Sequence, residues 1–175
     1  MSSFTVTRRL EIDAAHRIPD HGSRCRHLHG HRYVVEAACG NPDLHESGEE
    51  RGMVLDFGFL KEEMLAVIDG PCDHGLLLSV DDQTLLEMLA GGSEQPAEWL
   101  AGLRQAVAAN GFAEACDPSL GGKLYLLPGP PTAEVLARHW FQRLAPRVQQ
   151  RSQGHADLLE VTVWETPNCW ARYRP

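Results

Sequence analysis

The stretch Phe4–His16, FTVTRRLEIDAAH, sets the architecture. Phe4, Val6, Leu10, Ile12, Ala14 and His16 share one face with Arg8, while Thr5, Thr7, Arg9, Glu11 and Asp13 share the other. A period of two is the signature of a half-buried strand, and here the inward face ends in an imidazole. A polar loop with Pro19 and Gly22 follows. A second strand is expected over 29–39, with His29, His31, Tyr33, Val35 and Ala37 on one face and Gly40-Asn41-Pro42 as its stop. After a polar connection, Met53-Val54-Leu55 reads as a short strand. Asp56 then caps a helix in which Leu60, Met64, Val67 and Ile68 recur at helical spacing until Gly70-Pro71.

Beyond Asp73-His74 the character changes. Residues 79–130 hold two helix-like pieces, near 82–90 and 97–109, separated by Gly91-Gly92-Ser93, the second stopped by Asn110-Gly111. Thr132 is expected to cap a helix carrying Leu136, Trp140 and Leu144 that ends before Pro146. Residues 158–166 and 169–173 read as a strand pair joined by Pro167-Asn168. This order predicts an α+β fold, an antiparallel sheet with helices on one face. It predicts one domain over 1–175, with 79–130 as an insertion outside the core sheet.

Composition narrows the function classes. The chain has 175 residues, 43% of them hydrophobic and 23% charged, which excludes wholesale disorder. A net charge of −8 argues against a nucleic-acid-coating protein. No apolar run approaches the roughly 18 residues of a membrane span. The opening segment alternates where a secretory signal carries a continuous apolar core, so a cytoplasmic location is expected. Five scattered cysteines form no C-x-x-C pair, which suggests reduced thiols.

The histidines carry most of the chemistry. His29 and His31 stand two apart on one strand and project from one face, and His16 ends the preceding strand on its inward side. If the two strands pair, three imidazoles converge, leaving an open fourth position as in a catalytic zinc site. A lone histidine is more often a satisfied core residue, and that reading is kept for His139 and His155. Cys25 offers a rival: as a fourth ligand it would make the metal structural. Flanked by Arg24, Arg26 and His27, it otherwise suits a nucleophile or proton carrier. Cys39, Cys116 and Cys169 read as ordinary thiols. Asp73-His74 pairs an acid with an imidazole. Glu165 ends a stripe of Leu159, Val161 and Val163, where a buried carboxylate needs a donor-rich partner.

Together AAHR (14–17), CRHLHGHRY (25–33), GMVLDFGFLK (52–61), DHGLL (73–77), PTAE (131–134) and VTVWET (161–166) resemble the 6-pyruvoyl-tetrahydropterin synthase superfamily. Three residues between Cys25 and the HGH resemble its 6-carboxytetrahydropterin synthase (QueD) branch. The resemblance implies a tunnelling fold (T-fold), a four-stranded antiparallel sheet with two helices, whose subunits form a homo-oligomer, commonly a hexamer of two trimers. It implies Zn2+ on His16, His29 and His31, and a catalytic acid/base group of Cys25, Asp73 and His74. It further implies Glu165 as the pterin anchor, with Thr132 and Glu134 in or beside the pocket.

The implied activity is a lyase reaction on 7,8-dihydroneopterin triphosphate, giving 6-carboxytetrahydropterin on the path to queuosine. Arg17, Arg24 and Arg26 are placed to meet the triphosphate. Pyruvoyl-tetrahydropterin synthesis and a non-catalytic pterin-binding or zinc-stabilised assembly protein are the alternatives. The chain departs from the family pattern at Cys72, Leu78 and Val135, where Leu, Asn and Asn are common, and in the length of its 79–130 segment.

Overall fold

The computed structural model describes residues 3–175. Seven strands are present among them: β1 (Phe4–His16), β2 (His29–Asn41), β3 (Gly75–Ser79), β4 (Ala113–Cys116), β5 (Lys123–Leu127), β6 (Asp157–Thr166) and β7 (Cys169–Tyr173). They hydrogen-bond in the order β4-β5-β3-β1-β2-β6-β7. The sheet is mixed, because β3 runs parallel to both β1 and β5 while β4–β5, β2–β6 and β6–β7 are antiparallel. An α+β architecture is thus present, but the expected four-stranded antiparallel sheet is not. A parallel neighbour needs a long crossover, and helical segments supply it. The chain divides into two compact units.

The first unit comprises the chain up to Glu11, Tyr33–Gly70 and Ala133–Pro175. Asp56 caps α1 (Phe57–Met64) as expected, accepting from the Gly58 and Phe59 amides. A π-helical turn, Leu65–Asp69, and α2 (Gly70–Cys72) carry the coil past Gly70. Residues 53–55, expected as a strand, form none. The long helix of this unit, Ala133–Arg151, runs through Pro146 instead of stopping there. Pro146 and Gln142, whose carbonyl loses its intrahelical donor, both lie on the exposed face, while Leu144 and Val148 continue the buried stripe. This helix packs on β6 and β7 through Leu136, Trp140 and Leu144, all fully buried. Arg147 and Arg151 tie it to Glu63 of α1 at 2.8 and 3.1 Å. His139 of the same helix is half-buried, and burial pushes its imidazole down to about 4.

The second unit comprises Ile12–Arg32 and Pro71–Thr132. Here β3 pairs with β1 at Ala15↔Leu76 and His16↔Leu77, and with β5 from Gly75↔Lys123 to Ser79↔Leu127. Between β3 and β4 lie α3 (Gln83–Ala90) and α4 (Pro96–Asn110); with the helix Ala133–Arg151 numbered α5, the set is complete. Gly111 closes α4 in the left-handed conformation at φ 77°, as the Asn-Gly stop predicts.

The segment 79–130 therefore does not lie outside the sheet. It contributes β4 and β5, and a buried cluster joins Leu78 of β3 to Leu85, Leu86 and Leu89 of α3, Leu103 and Val107 of α4, and Leu124 and Leu126 of β5. Leu78 is a fully buried member of this cluster, and Leu76 of the same strand packs against it. Leu86→Ala is expected to cost about 2–3 kcal/mol, read as a lower denaturation midpoint at unchanged slope. A decorative segment would show less than about 0.5 kcal/mol.

Candidate functional site

The inward face of β1 alternates as its sequence requires and delivers His16, 2% exposed, at its end. His29 and His31 project from the start of β2, half-buried. One ligand atom from each of the three rings lies within 4.8 Å of the others, and no other such cluster occurs among the described residues. Gly30 between the ligands allows a close strand approach, because a Cβ there would stand 3.2 Å from the Ala14 carbonyl oxygen.

Two of the rings are oriented from behind. His16 Nδ1 donates to the Pro131 carbonyl at 2.9 Å, and His29 Nδ1 donates to the His27 carbonyl at 2.7 Å. Each Nδ1–H leaves the lone pair of a neutral ring on Nε2, and the two Nε2 atoms face each other at 3.1 Å. With both rings neutral, two lone pairs at that separation repel unless a proton or a metal ion lies between them. Two nitrogens on one tetrahedral zinc, each at about 2.0–2.1 Å, stand about 3.3 Å apart, so the donor set fits the ion. Burial, with the neighbouring His29 and His31, pushes the His16 imidazole down to about 4 against the Pro131 bond, keeping it neutral and ready to ligate. The two carbonyls are the outer-shell partners that hydropathy patterns could not show.

Cys25 sits half-buried in a single 3-10 turn, Arg24–Arg26, and does not join the three-imidazole cluster. Its carbonyl accepts from the Ile18 amide at 2.8 Å, which pins the loop against the end of β1. Cys39 is buried and its thiol is pushed up to about 12, while Cys116 and Cys169 are exposed.

Asp73 and His74 form a built corner. His74 Nδ1 bonds Asp73 Oδ2 at 2.7 Å, while Asp73 Oδ1 accepts from the Asp13 amide at 2.9 Å. Burial raises the Asp73 carboxyl, but the Asp13 amide, His74 and the Lys123 charge outweigh it and hold the group below its ordinary value. His74, His31, Arg32, Asp13 and Gly30 line an open concavity of about 500 Å³.

Arg17 is tied to an acid through its Nε. Its Nε lies 2.8 Å from Asp82 Oδ2, a carboxylate only 1% exposed that would otherwise be an uncompensated buried charge. Arg24 and Arg26 are exposed.

In the other unit, Glu165 is half-buried on β6. The stripe expected to lead to it is broken. A register shift between Ala38 and Cys39 turns Leu159 out to 41% exposure, while Val161 and Val163 stay fully buried. A second irregularity, between Trp164 and Thr166, falls at Glu165 itself. Glu134 is exposed in the first turn of α5. Thr132, half-buried, donates its amide to the Pro130 carbonyl at 2.9 Å.

The sequence model of the 6-pyruvoyl tetrahydropterin synthase family matches residues 5–175. The chain belongs to that family. A Rickettsia conorii protein named 6-carboxy-5,6,7,8-tetrahydropterin synthase is 32% identical over 164 residues, 94% of this chain and 95% of its own. A Haemophilus influenzae protein of the same name is 29% identical over 98% of this chain and 99% of its own. Such relatives place the chain in the family's 6-carboxytetrahydropterin synthase branch.

Solved structures agree on the fold. An uncharacterized Wolinella succinogenes protein superposes with a TM-score of 0.74 at 20% identity, covering 99% of each chain. The Caenorhabditis elegans 6-pyruvoyl tetrahydropterin synthase gives 0.58 at 21% identity, covering 100% of this chain and 97% of its own. No helix among the described residues is long and apolar enough to cross a membrane.

Proposed function

We propose that this chain is a zinc-dependent 6-carboxytetrahydropterin synthase. It converts 7,8-dihydroneopterin triphosphate to 6-carboxy-5,6,7,8-tetrahydropterin, releasing acetaldehyde and triphosphate, in 7-deazapurine (queuosine) biosynthesis. The observation that carries the reading is the pair of Nδ1–carbonyl bonds that aim Nε2 of His16 and His29 at one point. That arrangement prepares a cation site in a chain whose relatives bear this enzyme's name.

His16, His29 and His31 would hold the zinc ion, which would supply Lewis-acid chemistry beside the substrate side chain. Cys25 takes and returns protons there. The Asp73–His74 pair is the complementary donor, its carboxylate kept ionised by its neighbours. Glu165 pairs with the amino-pyrimidine edge of the pterin, with Thr132 and Glu134 in or beside that pocket. The active assembly is a homo-oligomer, a hexamer of two trimers, and the chain works as one catalytic domain in the cytoplasm.

The test is direct. Zinc-loaded protein is incubated with 7,8-dihydroneopterin triphosphate and the products are identified by mass. Acetaldehyde with 6-carboxytetrahydropterin supports the reading. Triphosphate released without acetaldehyde identifies a pyruvoyl-forming enzyme, and pterin bound without turnover identifies a binding protein.

A further inference from the structure

His74 is one of two non-glycine residues with positive φ among those described, at 57°. Such a conformation is unfavourable for a residue with a Cβ and persists only where surrounding contacts hold it. Four contacts do so. The His74 amide donates to the Asp13 carbonyl at 2.7 Å, and the Asp13 amide donates to Asp73 Oδ1 at 2.9 Å. The imidazole closes back on Asp73 Oδ2 at 2.7 Å. The fourth contact comes from β5, where Lys123 Nζ donates to the Asp73 carbonyl at 3.0 Å.

That last bond fastens the peptide between Asp73 and His74, the unit whose orientation sets the left-handed turn. β5 approaches the corner closely. A Cβ on Gly75 would come 2.9 Å from the Cys72 carbonyl oxygen and 3.3 Å from Lys123 Cβ, so the glycine is what lets the lysine strand dock. Asp13 is fixed in turn by Arg32, whose Nε and second terminal nitrogen grip its carboxylate at 3.0 and 3.1 Å. The His74 side chain, 76% exposed, is thus presented to the concavity it shares with His31 by a peptide held at both its N–H and its carbonyl.

We propose that Lys123 is a positioning residue, which holds the Asp73–His74 peptide so that the imidazole is presented at a fixed angle to the substrate. The segment 79–130 that carries it thereby acquires a role in the reaction besides packing. The proposal rests on the reading of Asp73 and His74 as the proton-handling pair. Lys123 itself touches no reacting atom.

The test uses Lys123→Met and Lys123→Arg in the full-length, zinc-loaded protein, with two readouts. Amide hydrogen exchange at His74, followed by NMR, reports whether the corner is held, independently of any turnover. In Lys123→Met it is expected to accelerate about tenfold or more, with zinc content unchanged. Turnover of 7,8-dihydroneopterin triphosphate is expected to show kcat lowered about tenfold or more and KM within about twofold, since displaced catalytic groups slow the step without weakening binding. Lys123→Arg, which keeps the charge and the donor, restores both.

Unchanged exchange at His74 in Lys123→Met overturns the proposal, and so does faster exchange with kcat unaltered. If wild-type protein turns over no pterin triphosphate, the reading of the reaction fails by itself. Exchange at His74 then still decides whether Lys123 holds the corner.

Discussion

Cys25→Ala is expected to retain its zinc while turnover falls by about 10²- to 10⁴-fold, the range for loss of a positioned proton-transfer group. The separation follows from where the thiol and the imidazoles sit. His16, His29 and His31 come from the ends of β1 and β2, and two of them are oriented by the Pro131 and His27 carbonyls. Cys25 belongs to a short turn outside that cluster. Its backbone, not its sulfur, ties the loop to Ile18. Alanine therefore removes the thiol without disturbing either carbonyl. Metal content and turnover of one preparation settle the matter. Zinc leaving together with the sulfur would make Cys25 a fourth ligand and the site structural, and the proposed chemistry would fail with it.

The parts that deliver this site were legible because their signals are local. The alternation of Phe4–His16 gives β1 with the bounds the residues suggest, and the H-x-H of β2 needs only strand geometry to put two rings on one face. Asp56 before an apolar period and Gly111 after one are capping signals that depend on a few neighbouring backbone groups.

The strands that escaped are β3, β4 and β5. GLLLS and KLYLL are short, nearly unbroken apolar runs, as parallel strands covered on both faces tend to be, and no alternation separates them from helix or buried loop. With β3 and β5 unread, the helices α3 and α4 looked like a surface addition. They are the crossover that a parallel β3–β5 pair requires. The same non-local pairing hides Lys123, whose role at Asp73 depends on a strand register that no window of sequence contains. Register also decides Leu159, which strict alternation places inward and the bulge opposite Ala38 and Cys39 turns out.

Glu165 tests that last point against function. Val161 and Val163 bury the strand that leads to it, and the pairing then slips, with Trp164 opposite Trp170 but Thr166 opposite Cys169. An extra residue at such a slip is re-aimed relative to regular alternation, a device found beside binding sites. The half-buried carboxylate is thus presented at a bulge and not as the end of an even apolar stripe. Glu165→Gln keeps the shape and replaces one acceptor oxygen with a donor, which meets the pterin's own N–H groups. Losing a charge-assisted pair and creating an unmatched donor together cost about 2–4 kcal/mol. That is roughly a 30- to 1000-fold loss of affinity. The probe is 7,8-dihydroneopterin without its triphosphate, so that the measurement reads the ring contact alone. Zinc content is expected to hold, because the three ligands stand on β1 and β2. An affinity within about threefold of wild type, under about 1 kcal/mol, takes Glu165 out of the pterin site. The bulge would then be a feature of the β6–β7 pairing alone.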